Sequence, residues 1–194
     1  TIAFVVSLVL QSVLLVSFMV AGGVMEQGNR YILRDMERFE PITATLESRK
    51  FRSEYRVLDM EVTESNRYIS QKLKIPIASR IFYFRKLRLV DGGPKSIEKT
   101  YILYDKVKGV ESADLGKQSF YKTLQEMFGY VTRRSEEEIL IVAAGEKEKE
   151  LLCCGDGELM MIKGITYKEE PEPFEYFEIV AVSDLYEFRS VTRL

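Results

Sequence analysis

An α+β fold with a mainly antiparallel β-sheet and flanking helices is what three features of the sequence predict. Runs rich in β-branched and aromatic residues are joined by turn signals, of which Asp91-Gly92-Gly93-Pro94 is the strongest. Apolar residues fall at helical spacing in three places between those runs. Neither a regular strand–helix–strand alternation nor a repeat of about 20 to 50 residues runs through the chain.

In chain order, Gln27 to Leu33 reads as a tight turn leading into a short strand. Arg34 to Lys50 is polar and broken by Pro41, with Ile42 to Ser48 expected as a helix. Glu54 to Val62 alternates and reads as a strand. Thr63, beside an acidic residue, is expected to cap a helix of about three turns that carries Tyr68, Ile69 and Leu73 and stops before Pro76. The hairpin Arg80 to Asp105 follows, then a Gly-, Asp- and Ser-rich loop over Val107 to Leu115. Gln118 to Gly129 places Phe120, Leu124, Met127 and Phe128 on one side and ends at glycine, the pattern of an amphipathic helix with a C′ glycine. Tyr130 to Ala143 starts polar and ends Ile139-Leu140-Ile141-Val142, a strand expected to enter a core. Gly145 to Cys153 is expected as a charged helix with Leu151 and Leu152 inward. Glu158 to Tyr167, Phe174 to Val182 and Tyr186 to Thr192 complete the strands, with a solvated turn at Glu169 to Pro173.

Composition narrows the function classes. The 194 residues are 46% hydrophobic and 30% charged, enough for one domain with a core. A net charge of -2 argues against a broad nucleic-acid surface. The chain has no histidine, which excludes a His-dependent hydrolase or a zinc enzyme with His ligands. Cys153 and Cys154 are the two cysteines and are adjacent. They make neither a disulfide framework nor a zinc site and read as buried thiols of a cytoplasmic protein. No glycine-rich phosphate loop is present, no cofactor or metal is implied, and Glu136-Glu137-Glu138 reads as a solvated face.

Within the hairpin, alternation sets Phe82, Phe84, Lys86 and Arg88 on one face of the first strand, and Glu98, Thr100, Ile102 and Tyr104 on one face of the second. An aromatic surface ending in two cations, opposite a carboxylate, suits an anionic or polyhydroxylated ligand. An ordinary cross-strand ion pair remains the alternative.

Lys86-Leu87-Arg88-Leu89-Val90-Asp91-Gly92-Gly93-Pro94, Glu98, Ser119-Phe120-Tyr121, Gly129 and Asp184-Leu185-Tyr186-Glu187-Phe188 together resemble, in order and spacing, the UTRA domain. This is the effector-binding domain of the HutC branch of GntR-type transcription regulators. The resemblance spans about Glu37 to Arg193. It implies a chorismate-lyase-like fold and a small effector, often a phosphorylated sugar, bound by a homodimer. It further implies that Lys86 and Arg88 take the anionic end, that Ser119 and Tyr121 help from the helix start, and that Glu98 and Glu175 accept hydroxyls. A helix N-terminus suits such an anion. The sequence departs from the family pattern at Lys86, where arginine is usual, at Ala181, where relatives often place a ligand-facing tyrosine, and at Leu185, where arginine is usual. For the dimer, Tyr101, Leu103, Phe174, Tyr176 and Val180 offer apolar strand surface.

The domain organisation expected is a hydrophobic segment over 1–25, a linker or wing end over 26–36 and a UTRA-like ligand-binding domain over 37–194. Thr1 to Met25 carries no charged residue and is long enough to cross a membrane. Its Phe4-Val5-Val6-Ser7 and Gly22-Gly23-Val24, followed by Gln27 to Ile32, fall at spacings similar to the winged helix of GntR-type proteins. Three readings stand open: a degenerate remnant of that winged helix, a membrane anchor, or a buried helix. Leu8 to Ala21 has no Arg, Lys or Thr for phosphates or bases, so DNA contact is expected only through a winged-helix domain that is missing or degenerate here. A regulator rather than an enzyme is expected, because no nucleophile–base pair is visible. The rivals are a membrane-tethered binding module and a chorismate-lyase-like enzyme built on Arg88 and Glu98.

Overall fold

Asp91 and Gly92 both adopt positive φ, 50° and 85°, as a two-residue type I′ turn requires. They close β3 (Arg80–Val90) onto β4 (Gly93–Leu103), with Val90 opposite Gly93 and Lys86 opposite Glu98. The Asp91 N–H donates to the Arg52 carbonyl at 2.8 Å and its Oδ1 accepts from the Arg52 N–H at 3.0 Å. That exchange anchors the start of β2 (Ser53–Glu64) beside the turn.

The computed structural model describes residues 32–38, 40–169 and 171–192. The hydrophobic segment 1–25 and the turn at Gln27 to Tyr31 lie outside the described residues. β5 (Arg134–Ala143), β6 (Glu158–Glu169) and β7 (Glu172–Val182) join the hairpin in a six-stranded antiparallel sheet of order β2-β3-β4-β7-β6-β5. β1 (Ile32–Asp35) and β8 (Tyr186–Arg189) form a separate parallel pair. Among the described residues four α-helices cover the sheet: α1 (Ile42–Ser48), α2 (Arg67–Leu73), α3 (Phe120–Phe128) and α4 (Glu146–Leu152). This is the expected α+β fold.

Each face of the sheet is covered by two groups of elements. On one face α3 and the loop after β4 bury Phe82, Phe84, Ile102, Phe120 and Leu124. Beside them α1 and the β1–β8 pair bury Ile32, Leu46, Ile162, Phe177 and Tyr186. On the opposite face α4 packs near Leu87, Ile97 and Val180, and α2 near Ile81 and Tyr176.

Several expectations are corrected. α2 starts at Arg67 and its cap is Asn66, whose side chain accepts from the Ile69 N–H at 2.9 Å, because Thr63 and Glu64 remain paired in β2. In α3, Phe120 and Leu124 are buried, but Met127 is 44% exposed. Cys153 is exposed and Cys154 half-buried, since Cys153 ends α4 in the left-handed region. Ile139-Leu140-Ile141 does not enter a core: β5 is an edge strand, and these residues are 36%, 40% and 58% exposed. Of the surface expected to pair in a dimer, Phe174, Tyr176 and Val180 are buried within the protomer, because β7 is a central strand. Among the described residues no helix is long and apolar enough to cross a membrane.

Candidate functional site

Lys86, Arg88 and Glu98 occupy the expected face, yet they are more buried than a half-solvated hairpin allows. Arg88 is 0% exposed. Its Nε and Nη2 donate to the two Glu98 oxygens at 2.5 and 3.1 Å, and its Nη1 donates to Ser53 Oγ at 2.9 Å. Lys86 Nζ sits 3.1 Å from Glu98 Oε2 and 4.8 Å from the Tyr55 ring centroid. Ser96 Oγ donates to Glu98 Oε1 at 3.2 Å. Burial would raise the Glu98 carboxyl, but Arg88 and then Lys86 overcome it and hold it down at about 2. Burial pushes the Lys86 ammonium below its usual range, against the pull of Glu98.

Glu175 lies on β7 opposite Ile102 and, on the other side, Thr166. It accepts from Thr100 Oγ1 at 3.0 Å, from Tyr121 OH at 2.6 Å and from Thr166 Oγ1 at 3.2 Å. Burial pushes its carboxyl up, offset in part by these three hydrogen bonds. The neighbouring pair thus differs in its partners: cations hold Glu98, and hydroxyls hold Glu175.

The seam between the two packing groups on this face leaves a cavity of about 50 Å³. Lys86, Glu98, Tyr121 and Glu175 line it, together with Arg34, Pro41, Phe120 and Phe177. Arg88 is not on its wall; it stands behind Glu98. Ser119 lines an adjacent open groove of about 450 Å³, which shares Pro41 and Tyr121 with the cavity and runs past Gln125, Tyr130 and Thr132. The Ser119 side chain makes no capping hydrogen bond to α3.

Sequence reasoning missed Arg34, Pro41 and Phe177. Arg34 reaches the seam from β1 and donates to Glu137 Oε1 at 2.9 Å. It missed too that the buried hydroxyls of Tyr55 and Tyr186 have no hydrogen-bond partner among the described residues. Burial, then the Glu98 charge, raises the Tyr186 phenol. The signal for Tyr186 was present in the final-strand motif, but the motif does not say which way its hydroxyl points.

The UTRA domain model matches residues 48–187. The chain belongs to the UTRA domain family. The effector domain of PhnF from Mycobacterium smegmatis superposes with a TM-score of 0.77 at 13% identity, covering 84% of this chain and 100% of that one. A GntR-family transcriptional regulator from Bacillus cereus gives 0.65 at 22% identity over 73% and 99% of the two chains. A Staphylococcus aureus gene product, SA0254, gives 0.72 at 18% identity over 84% and 100%. No functionally curated protein matches the sequence. UTRA domains are ligand-binding regulatory domains of GntR regulators and not enzymes, so this UTRA chain is a ligand-sensing regulatory domain.

Proposed function

We propose that this UTRA domain senses a small anionic, sugar-phosphate-like metabolite for a cytoplasmic HutC-type regulator, with residues 37–194 as the sensing domain. The observation that carries the reading is the convergence of Lys86, Glu98, Tyr121 and Glu175 on one cavity beside a groove headed by Ser119. At about 50 Å³ the cavity holds only a small group, whereas the groove of about 450 Å³ is in the range of a small-molecule site. The effector therefore lies in the groove and sends one end into the cavity. Lys86 meets that end with its charge, and the free Ser119 hydroxyl at the start of α3 adds a donor where the helix favours an anion. Glu175 and Tyr121, already a hydrogen-bonded pair, receive sugar hydroxyls. Glu98 acts by holding Lys86 in place, and Arg88 acts through Glu98. The domain controls DNA binding by a winged-helix domain, and it works as a homodimer.

A thermal-shift series with the full chain tests the reading, because a ligand that binds the native state raises its melting point. Sugar phosphates should stabilise it more than inorganic phosphate, and the unphosphorylated sugars should do little. Stabilisation by uncharged sugars alone would overturn the anion assignment.

A further inference from the structure

Arg34 stands between two spaces. It lines the cavity of about 50 Å³ with Lys86, Glu98 and Glu175, and it lines an outer groove of about 410 Å³ with Arg38, Arg133 and Glu137. Its side chain is only 15% exposed. β1 carries it over the aromatic side chains of β8, with the guanidinium carbon 5.8 Å from the Tyr186 ring centroid and 6.0 Å from that of Phe188. Such rings orient a planar guanidinium without using up its N–H donors. Among the described residues the guanidinium makes a single hydrogen bond, from Nη2 to Glu137 Oε1 at 2.9 Å. The fork therefore keeps donors to spare.

The charges around the cavity leave this residue a task. Arg88 and Glu98 cancel each other, Lys99 pairs with Glu178 at 3.4 Å, and Glu175 is committed to three hydroxyls. Lys86 is then the cation that the sheet offers a ligand. A phosphate monoester carries close to two negative charges at neutral pH, so Lys86 by itself leaves about one of them unmatched. The remaining cation on the cavity wall is Arg34. We propose that Arg34 is the second cation of the effector site, exchanging Glu137 for the phosphate that Lys86 meets and so selecting a dianionic phosphomonoester over a monoanion. This rests on the anion assignment made above and adds the charge of the anion. A guanidinium fork matches two phosphate oxygens at once. Glu137 can release it, because its carboxylate lines the open outer groove beside Arg133 and Arg134 and also accepts from Ser135 Oγ at 3.4 Å. Until then Glu137 is an internal competitor, and the fraction of molecules in which it holds Arg34 lowers the apparent affinity in proportion.

Calorimetry on the full chain with methyl phosphate and methyl sulfate, two small probes of the same shape, tests the exchange. At about pH 7.5 the first is mostly a dianion and the second a monoanion. The parent should bind methyl phosphate about tenfold tighter than methyl sulfate, the scale of one charge-assisted contact. Arg34→Gln should weaken methyl phosphate about tenfold and remove most of that preference. Glu137→Gln should act in the opposite direction and strengthen methyl phosphate about two- to fivefold, since the competing ion pair is lost. Arg38→Gln, which alters the outer groove and not the cavity, should leave both probes unchanged. An ion pair that only braces the fold would make Arg34→Gln and Glu137→Gln weaken binding alike, and that result would overturn the proposal. Methyl phosphate that binds Arg34→Gln as tightly as the parent, while Lys86→Ala weakens it, would overturn the role of Arg34 and leave the anion assignment standing. A parent that binds neither probe would overturn both.

Discussion

Arg88 and Glu98 meet in a two-pronged ion pair, 2.5 and 3.1 Å, on neighbouring strands of the same hairpin. Arg88 is wholly buried and Glu98 is 8% exposed. Glu98 lines the cavity and Arg88 stands behind it, with the Ser53 hydroxyl against Arg88 and Lys86 against Glu98.

Removing Arg88 takes both of its hydrogen bonds from the buried Glu98 carboxylate and leaves Lys86 as its cation. Arg88→Ala should cost roughly 3–5 kcal/mol of folding stability, read as a lower urea midpoint with an unchanged slope. The triple variant Lys86→Met, Arg88→Met, Glu98→Leu, which leaves no buried charge of the cluster unpaired, should recover most of that loss. If Arg88→Ala unfolds at the parent's midpoint, the pair is solvated in solution.

Acid should separate the two buried glutamates. Glu98 titrates at about 2 in the fold against 4.5 unfolded, so its contribution is complete above about 4.5 and is lost as pH falls towards 2. The shift corresponds to roughly 3 kcal/mol, and Glu98→Gln should remove that part of the acid limb. Glu175 is shifted upward by burial. Its contribution is full below the unfolded value and is lost as pH rises through the folded one. Glu175→Gln should therefore flatten the decline in stability that sets in as pH rises above the unfolded value of 4.5. Denaturation curves across this range check both signs.

Ligand binding should distinguish the cation from the hydroxyl acceptors. Lys86→Ala should weaken both inorganic phosphate and sugar phosphates about tenfold, the scale of one charge-assisted contact. Glu175→Gln should weaken the sugar phosphates and leave inorganic phosphate nearly unchanged. Calorimetry with the two probes would read the difference, and equal losses for both would count against Glu175 as a hydroxyl acceptor.

Gly164 on β6 stands opposite Phe177 on β7. A Cβ at Gly164 would run into the Phe177 ring and lie 3.0 Å from the Glu136 carbonyl. Gly164→Ala should destabilise by about 1–3 kcal/mol through overpacking. Because Phe177 also lines the cavity, the same substitution should lower sugar-phosphate affinity. Gly155→Ala, with open space around its Cβ position, serves as the control in both the denaturation and the binding experiment.

Local rules carried much of the fold and a share of the site. The period-two alternation of a strand put Lys86 and Arg88 on the face of Phe82 and Phe84, and Glu98 on the matching face of β4, before any partner was known. The Asp91-Gly92 pair specified its turn because positive φ at both positions suits few other residues. Glycine stopped α3 at Gly129 for the same reason. What local pattern could not contain was decided by contacts distant in sequence. The order β4-β7-β6-β5 makes β7 central and β5 an edge, so Tyr176 is buried and Ile141 exposed although both belong to apolar strands. The same packing brings Arg34 and Pro41 to a seam with residues of β3, β4, β7 and α3. It also turned Arg88 inward: alternation assigns a side chain to a face, but only the packed structure sets the carboxylate of Glu98 within reach and closes that face to water.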